Sequence, residues 1–428
     1  MTNALKRIQE IISKIPLYYF YTIYLAMMIL LIIFYTKQAE FNWNLLLHIH
    51  EEFIQLNDRM KFKDMVVLKN EGYDGQFFYY IARYIYEKEV FFLYLDSSEF
   101  RFLRIFPSFV YGFVPAIYGW ELYTYWVIFI NIVLLFISTK MLHIILPQNQ
   151  KYIAILYLFN PFSIISILLL IGDNLFISLF VMFVYFFHSS ELSLTSPEKK
   201  QGNFKYTHYA YLILIFLSLT KETILFFLIP MYIIMKINKN QIGVMFSFFP
   251  LWFFFLWYII VEFRIGDDPY IISLGSIQSH VQRIRIPLST MLHVITEMIT
   301  DFKISKWISN GLVLILWILL LFNLKNFFPL PKSLSNLQNP EIQRWLFSVP
   351  IVLTVLSIAI VDYEYWLAFD NIYRIYAFSF LWIIAIKVLN LIENYNDYGF
   401  LFLNTLITLF LIPRYLFLKK IGEFYILQ

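Results

Sequence analysis

LYYFYTIYLAMMILLIIFYT, residues Leu17–Thr36, runs for 20 residues without a charge. At about 1.5 Å per residue it makes a helix of roughly 30 Å, the thickness of a bilayer's hydrocarbon core. Lys6, Arg7 and Lys14 precede it, which predicts a cytoplasmic N-terminus. The run is too long for a signal-peptide core and no small-x-small cleavage site follows, so it reads as a retained anchor. Comparable apolar runs recur to the far end of the chain. Composition agrees: of 428 residues, 60% are hydrophobic and 14% charged, where soluble domains carry about a quarter charged residues. The fold class expected is an all-α polytopic membrane protein, a bundle of about ten transmembrane helices. A net charge of +4, with the basic residues gathered in loops, speaks for membrane orientation and against a nucleic-acid partner. The chain has no cysteine, which excludes disulfides, iron–sulfur centres and thiolate-ligated zinc.

After the first run, residues 37–103 are polar, and counting charges places this long loop outside. Amphipathic stretches at residues 43–53 and after Asp74 are expected as helices lying on the outer interface. Pro107, Gly112, Pro115 and Gly119 interrupt the next apolar stretch, which predicts a broken, half-inserted helix. The Phe- and Tyr-rich surroundings of residues 107–119 are a candidate groove for an isoprenoid chain, with ordinary lipid-facing surface as the alternative. Further crossings are expected at 123–139, 152–171, 174–188, 209–220, 224–235, 244–263, 306–322, 345–361, 372–390 and 399–412. This count puts Glu71, Gly266 and Asp362 outside and Lys199, Lys239 and Lys332 inside. It also leaves Arg414, Lys419 and Lys420 outside, against the positive-inside rule.

Within the loop, EGYDGQFFYYIARYI at residues 71–85 places Asp74 between Gly72 and Gly75, with Tyr73 and Gln76 beside it. Glycines let the backbone turn tightly and a ligand approach, and Gln76 adds a donor and an acceptor. FRFLRIFPS follows with Arg101 and Arg104, which share a face if that stretch is helical. An acid suited to deprotonation and cations suited to phosphate together suggest group transfer from a phosphorylated donor. Other charges gather on the same predicted face: Asp173 in IGDN, Lys221 and Glu222 in LTKET, Asp370 and Arg374 in FDNIYR. Each has a blander reading. Asp74 could serve an Asx-turn, Asp173 could cap the next helix, Lys221 and Glu222 could snorkel, and Arg374 could pair with Asp370 one helical turn earlier. His48 and His50, two apart, share no helix face and are not read as ligands; no HExxH spacing exists, so a zinc enzyme is not expected.

The ordered motifs GYDGQFFYYIA, FRFLRIFP, NPFSIISILLLIGDNLF, LSLTKETILFFLIP and LWYIIVEFRIG resemble the bacterial membrane glycosyltransferases of the GT-C superfamily. These are similar to the polyprenyl-phosphate-sugar-dependent mannosyltransferases and the lipid A aminoarabinose transferases. The resemblance covers residues 17–266, and it implies a catalytic module over residues 1–266, with the loop 37–103, and a C-terminal module over residues 267–428 related to the acceptor. It implies that Asp74, the acid of the first outer loop, is the catalytic base. It further implies that Asp173, at the start of the fourth helix, joins Asp74 in holding a divalent metal (Mg or Mn) or helps hold the acceptor. Thr220 and Lys221 match a TK pair at a helix end, and Arg101 and Arg104 match the arginines that follow the first loop. Asn174 departs from relatives that carry a further acid there. The site residues so expected are Asp74 as base, with Tyr73, Gln76, Arg101, Arg104, Lys221 and Arg374 on substrate or phosphate, Arg104 leading. The implied partners are a polyprenyl-phosphate sugar donor, a cell-envelope glycan or lipid acceptor, and membrane lipids, at the outer face of a bacterial cytoplasmic membrane.

The chemistry needs little else. A sugar on a lipid phosphate already carries its leaving group, so one base, alignment and charge stabilisation suffice, with inversion at the anomeric carbon. Neither GxxxxGK[ST] nor GxGxxG is present, which fits a lipid-borne donor better than a nucleotide sugar. The alternatives are a transporter or flippase for lipid-linked glycan, or an inactive relative acting as a scaffold. A transporter should bury ionisable groups near the bilayer midplane, and the stretch between Tyr123 and Met235 carries almost none at its helix centres.

Overall fold

The computed structural model describes residues 13–427 except 70–71, 88–90, 191–203, 238–240, 275–287, 302–303, 328–339, 364–365, 367–368, 390–397 and 419. Lys6, Arg7, Glu71, Lys199, Lys239, Lys332 and Lys419 therefore lie outside the described residues. The first run is a single helix, α1 (Leu17–Thr36), entered through Pro16. Only 22% of its most apolar window is buried by protein, so most of its surface is left to lipid.

Residues 37–103 do not lie as interfacial helices. They fold into β1 (Ile49–His50), α2 (Glu51–Leu56), β2 (Val66–Leu68), α3 (Gly75–Tyr86), β3 (Leu93–Leu95) and α4 (Ser98–Leu103). Helix α3 is buried from Gly75 through Arg83, because FFYYIA is apolar on every side and leaves no stripe for water or headgroups. It packs on α5 (Ile105–Gly112), where Gly112 makes the approach possible: a Cβ there would stand 2.8 Å from Ala82. The expected break follows, with α6 (Pro115–Tyr118) ending at Gly119, whose φ of +121° a side chain would resist. The chain then enters α7 (Tyr123–Ile145).

Every apolar run singled out above is helical: α8 (Tyr152–Leu158), α9 (Pro161–Leu168), α10 (Asp173–Ser189), α11 (Phe204–Thr220), α12 (Leu225–Ile237) and α13 (Gln241–Ile260). After a π turn, Val261–Ile265, come β4 (Ile271–Ser273), α14 (Ser289–Thr300), α15 (Ile304–Phe327), α16 (Pro340–Ile360), α17 (Phe369–Arg374), α18 (Tyr376–Val388), α19 (Tyr398–Pro413) and β5 (Phe424–Ile426). Among the described residues five helical stretches are long and apolar enough to cross a bilayer: Leu17–Ala39, Trp120–Ile145, Gln148–Leu168, Ser247–Ile265 and Asp370–Val388. Six more apolar helices, including Asp173–Ser189 and Ser348–Ile360, are shorter. The chain is an all-α membrane protein in which many helices stop early, at charged or broken positions such as Asp173 and Glu222.

Helix α10 forms the centre. Its first twelve residues, 173–184, are all buried, and it packs against α7, α11 and α18. A helix apolar all round belongs inside. The stretch after Gly266 shares this core, since α18 packs on α10, α16 on α12, and β4 pairs in parallel with β3. The division at residue 266 is therefore not a division in space. At the chain's end β5 pairs antiparallel with β2, and Lys69 bonds Glu423 at 2.9 Å. The C-terminal residues thus lie on the face that carries Asp74, as the crossing count required. Arg414 pairs with Asp370 at 3.4 Å.

Candidate functional site

The loop that carries Asp74 is pressed onto the junction between α9 and α10. A Cβ on Gly75 would stand 2.4 Å from the Leu169 carbonyl oxygen, and one on Gly72 would meet His50 Cβ at 2.8 Å and Gln76 Nε2 at 2.7 Å. Only glycine allows so close an approach of one backbone to another. Gln76 is buried and its Oε1 accepts a hydrogen bond from the His50 backbone N–H at 3.0 Å, bracing the turn from behind.

Asp74 immediately precedes α3 but makes no capping bond. Its carboxylate instead spans two cations, Oδ1 to Arg101 Nη2 at 3.0 Å and Oδ2 to Arg374 Nη1 at 3.3 Å. The Asx-turn reading is thereby replaced. Burial works against ionising this carboxyl, but Arg101, Arg374 and Arg104 outweigh it and hold the group well below the usual carboxylate range. Asp173 does not cap α10 either. It accepts from Lys221 Nζ at 2.7 Å and from Arg374 Nε at 2.5 Å, while the Asn174 N–H is served by Ser166 Oγ at 2.7 Å.

Arg374 therefore bridges the two acids. The simpler expectation, a pair with Asp370 on one helix face, is corrected: Asp370 accepts instead from Arg414 and from the Tyr415 hydroxyl. Arg374 also donates to the Tyr73 hydroxyl at 3.3 Å, and Tyr73 in turn donates to Asn371.

Arg101 and Arg104 do not share a helix face. Helix α4 stops at Leu103, and Arg104 sits at φ −101°, ψ 47°, outside the helical region. Arg101 binds Asp96 through two bonds of 2.8 and 2.6 Å with its guanidinium over the Phe77 ring, whereas Arg104 binds Glu222 through two bonds of 2.8 and 2.5 Å over the Phe100 ring. Lys221 and Glu222 do not snorkel. Lys221 has an extended backbone where α11 gives way to the 3-10 turn Glu222–Ile224, and both side chains face the cavity.

This cavity has a volume of about 860 Å³. Among the described residues five acids line it, Glu52, Asp74, Asp96, Asp173 and Glu222, and the last four pair with the cations Arg101, Arg104, Lys221 and Arg374. Its apolar wall comes from Phe176 and Ile177 of α10, Phe226 of α12 and Phe378 of α18, with the Thr354 and Ser357 hydroxyls of α16 among them. No residue from 105 to 119 lines it, so the groove expected there is corrected: Pro107 packs on Gly172 instead.

Glu52, Asp96 and Asn371 also border the cavity, and sequence reading passed over them; His50, set aside above as a ligand, borders it too. Asp96 stands in DSSEF, which reads as a helix start. Nothing in the local sequence marks His50, whose place depends on the fold around Gly72.

Arg374 stands between Asp74 and Asp173 and contacts both. Among the described residues no three His, Cys, Asp or Glu side chains gather within ligating reach. Asp74 and Asp173 are the two carboxylates that would hold a divalent ion, and one or two carboxylates with substrate and water oxygens are the donor set that Mg takes. No protein-family model matches this chain, and no curated protein or solved structure matches it either.

Proposed function

We propose that this chain is a GT-C-type glycosyltransferase that moves a sugar from a polyprenyl phosphate to a glycan or lipid acceptor of the cell envelope, at the outer face of a bacterial cytoplasmic membrane. The observation that carries the reading is one acid, Asp74, flanked by two arginines in a large cavity that is lined by both ionic and apolar side chains. A lipid-linked phosphate sugar calls for both kinds of lining, since it joins an anion to a hydrocarbon chain.

In the step itself the acceptor oxygen bonds the anomeric carbon while the bond from that carbon to the phosphate oxygen breaks. The acceptor proton passes to the Asp74 carboxylate, and the electron pair leaves with the lipid phosphate. The phosphate gains one negative charge as Asp74 loses one, so the net charge of the site is conserved. Arg101 and Arg374 are the cations that would stabilise the charge developing on the phosphate. Attack from the face opposite the phosphate inverts the anomeric centre, and one carboxylate suffices.

The test is mass analysis of envelope glycolipids from cells lacking the protein, complemented by parent or variant. The parent should restore a sugar-bearing product, and Asp74→Asn or Asp74→Ala should not, since general-base catalysis alone is worth roughly 10²- to 10⁴-fold. Asp74→Glu should also fail, because a displacement of about 1 Å costs on the order of 10²-fold. Full restoration by Asp74→Asn removes the base role and leaves the transporter and scaffold readings.

A further inference from the structure

The four cations of the cavity do not hold their acids equally. Arg101 grips Asp96 with two hydrogen bonds of 2.8 and 2.6 Å and reaches Asp74 by one contact of 3.0 Å. Arg374 reaches Asp173 at 2.5 Å and Asp74 at 3.3 Å. On both arginines Asp74 is the more distant carboxylate. Its side chain is 30% exposed, as is that of Asp96, against 6% for Asp173. Each arginine would keep a second acid if Asp74 withdrew. The two contacts fall on different carboxylate oxygens, one arginine to each, which is how two guanidinium groups hold a phosphate.

We infer that the Asp74 carboxylate is the resident of the anion site: a phosphate oxyanion takes its place between Arg101 and Arg374, and Asp74 is released to act as base only when that exchange has occurred. The identity of the donor rests on the reading proposed above; the exchange is anion chemistry and stands or falls separately. It resolves a conflict within the site. A carboxylate held by two guanidinium groups is ionised but a poor proton acceptor, and a base works best when its affinity for protons is near that of the medium. Handing both arginines to a phosphate and gaining an anionic neighbour makes Asp74 a stronger base. The donor would therefore bind before the acceptor is activated, and a cavity without donor would deprotonate little.

The test is calorimetric binding of farnesyl phosphate, and separately of inorganic phosphate, to the purified full chain in detergent. Asp74→Asn keeps the shape and removes the competing charge, and it leaves Arg101 and Arg374 paired with Asp96 and Asp173. It should tighten phosphate binding by roughly tenfold or more, the worth of a charge-assisted hydrogen bond that no longer has to be given up. Arg101→Gln and Arg374→Gln should weaken it. Tightening for both probes marks a site satisfied by free phosphate, and tightening for farnesyl phosphate alone marks a lipid-borne one; either supports the exchange. Binding that is unchanged or weaker in a folded Asp74→Asn protein overturns it. If that variant does not fold, Asp74→Ala decides: it also removes the competing carboxylate and should tighten farnesyl phosphate binding, and unchanged or weaker binding in it overturns the exchange. Exchange without sugar transfer would defeat the glycosyltransferase reading alone, and transfer without tightening would defeat the exchange alone.

Discussion

At the residue scale Asp74 and Arg374 make different demands on a substitute. Arg374 directs Nε to Asp173 and Nη1 to Asp74 and Tyr73. A lysine offers one point charge and cannot span the two acids. Arg104 spends its planar face on Glu222 alone. We therefore expect Arg374→Lys to lower turnover by roughly tenfold or more, at about 1.4 kcal/mol per decade, with Arg104→Lys milder and both proteins present in the membrane at normal abundance. Equal effects, or a larger one at Arg104, would return the leading phosphate role to Arg104. A second expectation concerns pH. Arginine neighbours hold the Asp74 carboxyl below its ordinary range, so in the free protein the carboxylate persists as pH falls to the unperturbed value of about 3.9 and beyond. The acid limb of kcat/KM for the donor, which reports the free enzyme, should not reflect Asp74 above that value. Under the exchange the acid limb of kcat should move to higher pH, because the loaded enzyme's Asp74 has lost its cations. Coincident acid limbs would contradict this.

The charges that sequence reading found, Asp74, Asp173, Arg101, Lys221 and Arg374, were legible because ionisable residues stand out in so apolar a chain. Their pairing was not. Arg374 sits one helical turn from Asp370, and the local rule favours that pair, but the acids that hold Arg374 lie 300 and 201 residues away in sequence. Asp96 was missed because an acid before Ser-Ser-Glu has a sufficient local explanation as a helix start.

At the scale of elements, the glycine turn is what brings the loop to the core. A methyl on Gly75 would stand 2.4 Å from a backbone oxygen, which no side-chain rotation relieves. Gly75→Ala should therefore cost roughly 1–3 kcal/mol, as overpacking does, and lift Asp74 from the arginines. A thermal-unfolding scan in detergent, with transfer measured alongside, checks it: an unchanged midpoint and full activity would mean that the turn is not seated as described. Helices were legible at this scale from their apolar runs, and the break at residues 107–119 from its Pro and Gly. The strands were not. They are two or three residues long and take partners far along the chain, β2 with β5 and β3 with β4, so no period-2 pattern could develop. The burial of α3 was hidden for a related reason: its one charged residue near the middle, Arg83, satisfies itself on Tyr79 and Glu87 and needs no water.

At the scale of the molecule, the two ends of the bundle should be distinguishable chemically. Strand pairing ties residues 271–273 and 424–426 to the face that carries Asp74, and the native chain has no cysteine to interfere. Gly266→Cys and Asp362→Cys should react with an impermeant maleimide in intact cells, and Lys140→Cys, toward the opposite end of α7, only after permeabilisation. Labelling of Lys140→Cys in intact cells would turn the Asp74 cavity inward and remove the outer-face assignment. The cavity also bears on the transporter alternative. Its charges gather at helix ends, at Asp173, Lys221 and Arg374, and the centre of α10 is apolar. A carrier would deliver lipid-linked sugar unchanged, whereas the proposed transferase breaks its bond to phosphate. The most direct measurement is therefore transfer by the purified chain in vesicles, with a panel of polyprenyl-phosphate sugars and an envelope lipid extract as acceptor, and the anomeric configuration of the product read by NMR. The account predicts release of polyprenyl phosphate with inversion at the anomeric carbon, lost in Asp74→Asn; recovery of the sugar still on its polyprenyl phosphate, or transfer that persists undiminished in Asp74→Asn, would contradict it.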